Sequence, residues 1–357
     1  MEQLFFAAYN IFAVFGIVYF LLLTAQMIVL FYFSARVMKR EQHKAPLRNP
    51  ELVMRSPISI PITLIAPAYN ERHTIVQSVQ SLLKLHYGEF EIIVVNDGST
   101  DDTLRFLTEE FALQSVTYNY EQFLQTKSVR AVYLSAKPQY KNLIVIDKEN
   151  GGKADALNTG INFARYPLFC AMDADSLLDP DALLHVTRPF YQDDEVVAVG
   201  GTIRPVNGCS VKRGYVTDVS MGSSVPIWTQ TIDYIRSFQY ARSGWDAMRS
   251  LLVISGAFGV FRKDTIIEIG GYRSDSVGED MEIVVRLHHC LKDHKRQYKV
   301  RFVPHAICWT QAPPTLRALR RQRNRWQRGL FHTMMIHKRM VFNPKYGIVG
   351  MFAMPYF

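Results

Sequence analysis

The chain has 357 residues, of which 48% are hydrophobic and 20% are charged. This composition excludes an intrinsically disordered chain and is sufficient for one large catalytic domain or two small ones. The formal net charge of +9 favours a membrane-facing surface over an anionic ligand or a nucleic acid. The four cysteines show no CxxC motif and no Cys/His ligand pattern, which favours a reduced, cytosolic catalytic part over a disulfide scaffold.

The segment from Leu4 to Phe33 contains no charged residue and exceeds the roughly 20 residues that a helix needs to cross a bilayer. A signal peptide is the alternative, but it would have a shorter apolar region after a basic start, whereas this chain begins Met-Glu-Gln. We therefore predict a transmembrane anchor. Basic residues follow it at Arg36, Lys39, Arg40, Lys44 and Arg48. By the positive-inside rule, the catalytic part then faces the cytoplasm at the cell membrane.

Four apolar runs that end in polar residues come next: ISIPITLIAPAYN, FEIIVVNDGSTDDT, NLIVID and LFCAMDADS. Between the first two runs, Ile75, Val79 and Leu82 have the spacing of a helix. At the end of the second run, a Ser/Thr/Asp cluster can cap another helix, which begins near Asp102. Continuous apolar strands that alternate with helices predict an α/β fold, with a largely parallel sheet covered by helices on both faces.

Polar side chains stand at the carboxyl ends of these runs, where ligands bind in parallel sheets: Asn70, Asp97, Asp147, Asp173 and Asp175. We expect them to face one crevice. Asp173 and Asp175 are two residues apart, so in an extended segment their carboxylates point the same way. Such a pair suits a hard divalent ion, Mg²⁺ or Mn²⁺, that bridges to phosphates. The alternative is a solvated Asx turn at the end of a strand.

Two further stretches offer groups for anions and sugars. In NGGKADALN, two glycines and Lys153 precede a helical segment, without the spacing of a Walker A loop. In TLRALRRQRNRWQRG, the arginines suit phosphates or lipid headgroups. Trp326 in the same stretch can stack on a sugar ring or anchor the chain at a membrane interface.

Motifs in a fixed order resemble those of the family 2 glycosyltransferases, which have the Rossmann-like GT-A fold. They are APAYNE (66–71), VNDGSTDDT (95–103), NGGKADALN (150–158) and MDADS (172–176). The motifs SGAFGVFR (255–262), GED (278–280) and QRNRW (322–326) sharpen the resemblance to the processive cellulose, chitin, hyaluronan and poly-N-acetylglucosamine synthases. The resemblance spans about residues 61 to 329.

The resemblance implies a role for each matching residue. Asp280 is the implied general base, although alone it would pass for an acid favoured at a helix start, and Asp175 is the implied ligand of Mg²⁺ or Mn²⁺. The implied nucleotide-sugar-binding residues are Ala68, Asn70, Glu71, Asp97, Lys153, Asp173 and Arg325. The implied acceptor-binding residues are Ser255, Gly256, Glu279, Gln322 and Trp326. Gly278 stands where the family often has Thr, a change that we expect to affect the turn more than the chemistry.

From the resemblance we predict a membrane-bound inverting transferase that moves a sugar from a UDP-sugar to a growing β-linked polysaccharide. One alternative is a nonprocessive transferase that glycosylates a membrane lipid. Another is a non-catalytic nucleotide-binding membrane receptor or regulatory module. The predicted partners are the UDP-sugar, a polysaccharide or lipid-linked acceptor, membrane lipids and a partner subunit for export. Nucleic acid is not among them, because no stacking platform or basic reading helix accompanies the positive charge.

The stretch WTQTIDYIRSFQYARSGWDAM, with Arg236 and Arg242, is typical of an amphipathic interfacial helix. The apolar end YGIVGMFAMPYF predicts the first turns of a second membrane segment in a longer protein. We therefore divide the chain into five parts: a transmembrane anchor (1–36), a basic juxtamembrane linker (37–57), a nucleotide-sugar-binding GT-A half (58–225), an acceptor-side half with interfacial helices (226–332), and a linker with the start of a further membrane segment (333–357).

Overall fold

The computed structural model describes residues 2–44, 59–212, 214–222 and 224–357. Helix α1 (Glu2–Lys44) contains the predicted anchor, and its stretch Tyr9–Lys39 is long and apolar enough to cross a membrane, with a mean hydropathy of 2.4. Only 6% of this stretch is buried inside the protein, as expected for a helix that faces lipid. Most of the predicted basic linker, from residue 45 onward, lies outside the described residues.

The strands are short, and the central ones are mostly apolar. They are β1 (Ile62–Ala68), β2 (Phe90–Asp97), β3 (Leu113–Val116), β4 (Val129–Ser135), β5 (Leu143–Lys148), β6 (Leu168–Met172), β7 (Leu177–Leu178), β8 (Val196–Pro205), β9 (Ser210–Lys212), β10 (Tyr215–Asp218), β11 (Phe258–Arg262) and β12 (Lys299–Thr310). Strands β9 and β10 form a separate two-stranded ribbon. The others form one sheet in the order β3-β4-β5-β2-β1-β6-β11-β8-β12-β7.

The four central strands run parallel, with Ile62 opposite both Phe90 and Leu168. This confirms the predicted parallel sheet at its centre. On both sides the pairing turns antiparallel, because β4 runs against β5 and β11 runs against β6 and β8. Strands β11 and β12 come from the predicted acceptor-side half, so both predicted halves contribute to one sheet. The boundary between the halves stays a prediction.

Helices cover both faces of the sheet, which explains why its central strands are buried along nearly their whole length. They are α2 (Ile75–Leu82), α3 (Thr103–Phe111), α4 (Lys153–Phe163), α5 (Ala182–Gln192), α6 (Val225–Tyr234), α7 (Ser243–Ala247), α8 (Lys263–Glu268), α9 (Glu279–Asp293) and α10 (Leu316–Ile336). A π-helix, Ile235–Arg242, joins α6 to α7 and is called the π segment below. After α10 the chain forms short helical turns up to Tyr356.

Helix α1 packs against the π segment and α7. The rings of Phe31 and Tyr240 stack with their centroids 5.8 Å apart, and the Ser34 hydroxyl donates to the Gln239 carbonyl over 3.4 Å. The C-terminal turns contact the same place, because the ring of Trp245 in α7 lies 5.5 Å from that of Tyr356. Both predicted membrane segments therefore pack against the stretch formed by the π segment and α7.

Candidate active site

The loops after β1 and β2 are joined by hydrogen bonds. Asn70 adopts a left-handed conformation with φ of 58°, which asparagine tolerates better than most residues. Its side-chain oxygen accepts from the backbone N–H of Thr100 over 2.8 Å, and its own N–H donates to Ser99. The N–H of Glu71 donates to the Thr103 hydroxyl. Two predicted donor-site residues are thus fixed by the loop after β2, while Ala68, a third, is buried at the end of β1.

A buried ion cluster lies under the glycine loop. Lys148, at the end of β5, is fully buried, and its Nζ lies 2.9 Å from Asp97 and 2.6 Å from Asp155. The two Asp97 oxygens also accept from the backbone N–H groups of Gly151 and Gly152, over 2.9 and 2.8 Å. Asp97, predicted to contact the nucleotide, therefore holds the loop that precedes Lys153. Lys148 was missed in the sequence because it resembles an ordinary lysine after an apolar strand.

Asp147 does not join this group. Its carboxylate accepts from the Asn96 side chain over 2.6 Å and lies 4.0 Å from Arg130. Neighbouring residues of a strand point to opposite faces, so the placement of Lys148 beside Asp97 turns Asp147 away from it. The expectation that every strand-end acid faces one crevice is therefore wrong for Asp147.

Lys153 connects the two predicted halves of the site. Its Nζ lies 2.5 Å from Asp173 and 3.5 Å from Glu279, and it donates to the Gly256 carbonyl over 3.4 Å. Burial opposes the charge of Lys153, but Asp173 and Glu279 hold its pKa above the ordinary value. The structure thus brings together predicted donor-side and acceptor-side residues around one ammonium group.

Asp280 lies beside this centre, in the first turn of α9. One carboxylate oxygen accepts from the Met281 N–H over 2.9 Å, and the other from the Gly256 N–H over 3.4 Å. Asp280, Glu279, Gly256 and Ser255 line a narrow pocket, together with Lys153. The predicted helix start is confirmed, since α9 begins at Glu279.

The surroundings of the Asp175 carboxyl group suit a cation that binds together with the substrate. Burial, together with the charges of Asp173 and Glu71, raises the pKa of its carboxyl to about 6. A positive ion would offset these effects. Within the described residues no group of three or more His, Cys, Asp or Glu side chains could hold a metal alone. One or two carboxylates suffice for Mg²⁺ when substrate phosphates complete its coordination.

Helix α10 carries the last predicted motif. Gly329 packs directly against Gly278, so a Cβ added at either glycine would lie 2.8 Å from a backbone atom of the other. This contact places α10 beside the turn that leads to Asp280, and it explains why a side chain at position 278 would be difficult to accommodate. Trp326 is exposed, with the Arg323 guanidinium 4.7 Å from its ring centroid. Arg325 is also exposed, and its contact with a diphosphate stays a prediction.

An α/β sheet with a cation and carboxylates gathered near its strand ends, beside an acid at a helix start, agrees with the predicted GT-A type of sugar-transfer protein. The family described as "Glycosyltransferase like family 2" matches residues 60–329, and the chain belongs to this family. The predicted family and the predicted α/β fold are confirmed.

Curated relatives match much of the chain. The poly-beta-1,6-N-acetyl-D-glucosamine synthase of Staphylococcus aureus (strain COL) is 28% identical over 302 residues, which are 84% of this chain and 60% of that protein. The synthase of the same name from Staphylococcus epidermidis is 30% identical over 268 residues, 75% of this chain and 54% of that protein. The chain thus spans 60% or less of the length of these relatives.

Among solved structures, the chain is similar to the mannosyltransferase PcManGT from Pyrobaculum calidifontis, which was solved in complex with GDP-Man and Mn²⁺. The TM-score is 0.55 at 18% identity, and the match covers 90% of this chain and 79% of that one. This similarity concerns the fold.

Proposed function

We propose that the chain is the catalytic part of a membrane-bound inverting transferase that moves N-acetylglucosamine from a UDP-sugar to a growing β-linked polysaccharide. The observation that carries the proposal is the group formed by Lys153, Asp173, Glu279 and Asp280, at the end of β6 and the starts of α4 and α9. The names of the staphylococcal relatives support the choice of sugar and product.

In this proposal Asp280 takes the proton of the acceptor hydroxyl. The freed oxygen attacks the anomeric carbon, the bond from that carbon to the phosphate oxygen breaks, and UDP leaves with the electron pair. One base and a single displacement invert the configuration, so an α-linked UDP-sugar gives a β-linked product. A positioned general base contributes about 10²- to 10⁴-fold to such a step.

In this proposal the donor diphosphate lies near Lys153 and Asp175, and Arg325 is a further cation that contacts it. Asp175, with Asp173 beside it, would hold Mg²⁺ or Mn²⁺, and this ion supplies positive charge to the leaving diphosphate. The solved mannosyltransferase of similar fold holds Mn²⁺ together with its sugar nucleotide, which supports a divalent ion here. Asp97 keeps the glycine loop closed beneath the nucleotide, which requires the ion pair with Lys148.

We place the catalytic part on the cytoplasmic side of the cell membrane, because basic residues are concentrated in the last turns of α1 and just beyond it. Trp228, Ile232 and Ile235 are exposed on α6 and the start of the π segment, and they suit contact with membrane lipids. The acceptor is a polysaccharide or a lipid-linked sugar that reaches Asp280 from the membrane side, and a partner subunit assists export.

UDP release by the full-length protein in native membranes tests the proposal. UDP-N-acetylglucosamine, UDP-glucose and UDP-glucuronate are each supplied with Mg²⁺ or Mn²⁺, and the Asp280→Asn variant is the control. We expect the fastest release from UDP-N-acetylglucosamine and a loss of at least about 100-fold in the control. UDP binding without turnover of any sugar would contradict the proposal and favour a binding module. Label recovered only in a lipid extract would favour the nonprocessive alternative.

A further inference from the structure

The loop between β3 and β4 is long for the turn of a hairpin. Residues 117–128 join these two strands, which pair antiparallel with Val116 opposite Val132. Hairpin loops in compact domains usually have about two to five residues, and longer loops without secondary structure are usually either functional or disordered. This loop contains no helix or strand, but its Leu124 side chain is buried. Residues 117–128, called the strap below, are therefore held in place by contacts with the rest of the protein.

The middle of the strap is bound to α4. Asn162, which is buried in the last turn of α4, accepts from the backbone N–H groups of Phe123 and Leu124 over 3.1 and 2.9 Å. Its side-chain amide group also donates to the Leu124 carbonyl over 2.8 Å. Beside it the ring of Tyr120 stacks on that of Phe163, with the centroids 3.9 Å apart. A single asparagine therefore makes three hydrogen bonds to the backbone of the strap.

The end of the strap binds the chain on both sides of the glycine loop, residues 151–152. Before the loop, the Glu149 N–H donates to the Ser128 carbonyl over 2.9 Å. After the loop, the Asp155 carboxylate accepts from the Lys127 N–H, at 3.1 Å from one oxygen and 3.3 Å from the other. Two neighbouring residues of the strap thus contact both flanks of the glycine loop.

Asp155 connects the strap to the buried ion cluster. Its carboxylate is buried and lies 2.6 Å from Nζ of Lys148, which also lies 2.9 Å from Asp97. Gly151 packs directly on this carboxylate, since an added Cβ would lie 2.5 Å from Cγ of Asp155. A buried carboxylate is costly unless it is paired and hydrogen-bonded, so the position of Asp155 depends on the Lys127 N–H. Because Asp155 and Gly151 are in direct contact, a shift of the strap is transmitted to the glycine loop.

We propose that the strap positions the glycine loop for the nucleotide of the donor, with Asp155 as the positioning residue. The docked strap holds Gly151 and Gly152 beside Asp97 in one arrangement before UDP binds, so that binding does not have to order the loop. The inference rests on the proposed function, because it requires UDP beside this loop. Coupling between two sites is reciprocal, so UDP must also stabilise the docked strap. A strap that serves the fold alone would change the stability of the protein but not its affinity for UDP.

The first experiment compares Asn162→Ala with Asn207→Ala in the full-length protein. Asn207 also bonds to the backbone of a distant segment, since it accepts from the Ala312 N–H over 2.6 Å and donates to the Ala312 carbonyl over 3.0 Å. Both variants should lower the midpoint of thermal unfolding. Only Asn162→Ala should raise the dissociation constant of UDP with Mn²⁺, by at least about fivefold, the lower end of typical couplings between two sites. The kcat at saturating UDP-N-acetylglucosamine should change less than about threefold, because binding is lost without loss of catalysis.

The second experiment needs no variant. Hydrogen exchange of the strap amides in the wild type is measured by mass spectrometry in the presence of Mn²⁺, with and without saturating UDP. We expect UDP to slow this exchange by at least about fivefold. An unchanged exchange rate would overturn the inference, as would an unchanged dissociation constant in Asn162→Ala or an equal rise in Asn207→Ala. A wild type that binds no UDP would overturn the proposed function together with the inference.

Discussion

The donor side and the acceptor side of the site differ in how their carboxylates are held. On the donor side, Asp97 pairs with Lys148 and Asp173 pairs with Lys153, both over short distances. On the acceptor side, Asp280 accepts backbone hydrogen bonds from Met281 and Gly256. The donor-side carboxylates are thus held by lysines of the chain itself, whereas the proposed base is held by backbone N–H groups.

The largest loss of sugar transfer should follow substitution of the proposed base, Asp280. Asp280→Asn removes the proton acceptor but keeps the size of the side chain, so transfer should fall about 10²- to 10⁴-fold. The dissociation constant of UDP, measured by titration calorimetry, should stay within about threefold of the wild type. Asp293→Asn, near the far end of α9, is the matched control. A variant that retains more than a tenth of the wild-type rate would show that Asp280 is not the base.

The next largest effect should be a loss of stability when the buried ion pairs of the donor side are broken. Lys148→Met leaves the carboxylates of Asp97 and Asp155 buried without their cation, which should lower the free energy of unfolding by about 3–5 kcal/mol. The midpoint of thermal unfolding in detergent measures the change, and Lys141→Met, an exposed residue just before β5, is the control. Equal midpoints for the two variants would mean that the cluster does not stabilise the donor side.

A smaller loss of stability is expected when the glycine contact between α9 and α10 is disturbed. Gly329→Ala forces a Cβ against the backbone of Gly278, and overpacking of this kind costs about 1–3 kcal/mol. We expect a lower unfolding midpoint and a loss of transfer that exceeds the loss of UDP affinity, since α10 moves relative to Asp280. Gly16→Ala is the control, because an added Cβ there meets no atom within 4 Å. A normal rate and midpoint for Gly329→Ala would remove the proposed coupling of α10 to α9.

The smallest effect should be a weaker affinity for the acceptor when the exposed indole ring of Trp326 is removed. Trp326→Ala removes a stacking surface worth about 0.5–1.5 kcal/mol, which corresponds to a rise of roughly 2- to 10-fold in the KM for an oligosaccharide acceptor. Trp228→Ala, an exposed tryptophan on α6, is the control for effects on membrane contact. A change in the KM for UDP-N-acetylglucosamine alone would move Trp326 to the donor side.

The sequence predicted the donor side better than the acceptor side, for physical reasons. The central strands are covered on both faces, so they appear as continuous apolar runs that end in recognisable acids such as Asp173. Lys148 could not be recognised in the sequence, because a buried lysine differs from a surface lysine only by its contacts, here with Asp97 and Asp155. The antiparallel flanks also could not be predicted, since the pairing of β11 with β6 is a contact between segments far apart in the chain.

Arg242 shows a second limit of the sequence. Its stretch has the composition of an interfacial helix, and the packing of α1 on it agrees with a place near the membrane. However, a π-helix turns its side chains differently from an α-helix, so the burial of Nη1 of Arg242 could not be derived from helical spacing. Unpaired atoms such as Nη1 of Arg242 become visible only in three dimensions.

The configuration of the new glycosidic bond tests the central claim most directly. Full-length protein in membranes is supplied with UDP-α-N-acetylglucosamine labelled with ¹³C at the anomeric carbon, and the first bond formed on an oligosaccharide acceptor is examined by NMR. A single displacement driven by Asp280 predicts a β anomeric signal that is absent with Asp280→Asn. An α signal, or a β signal of equal intensity with Asp280→Asn, would contradict the account.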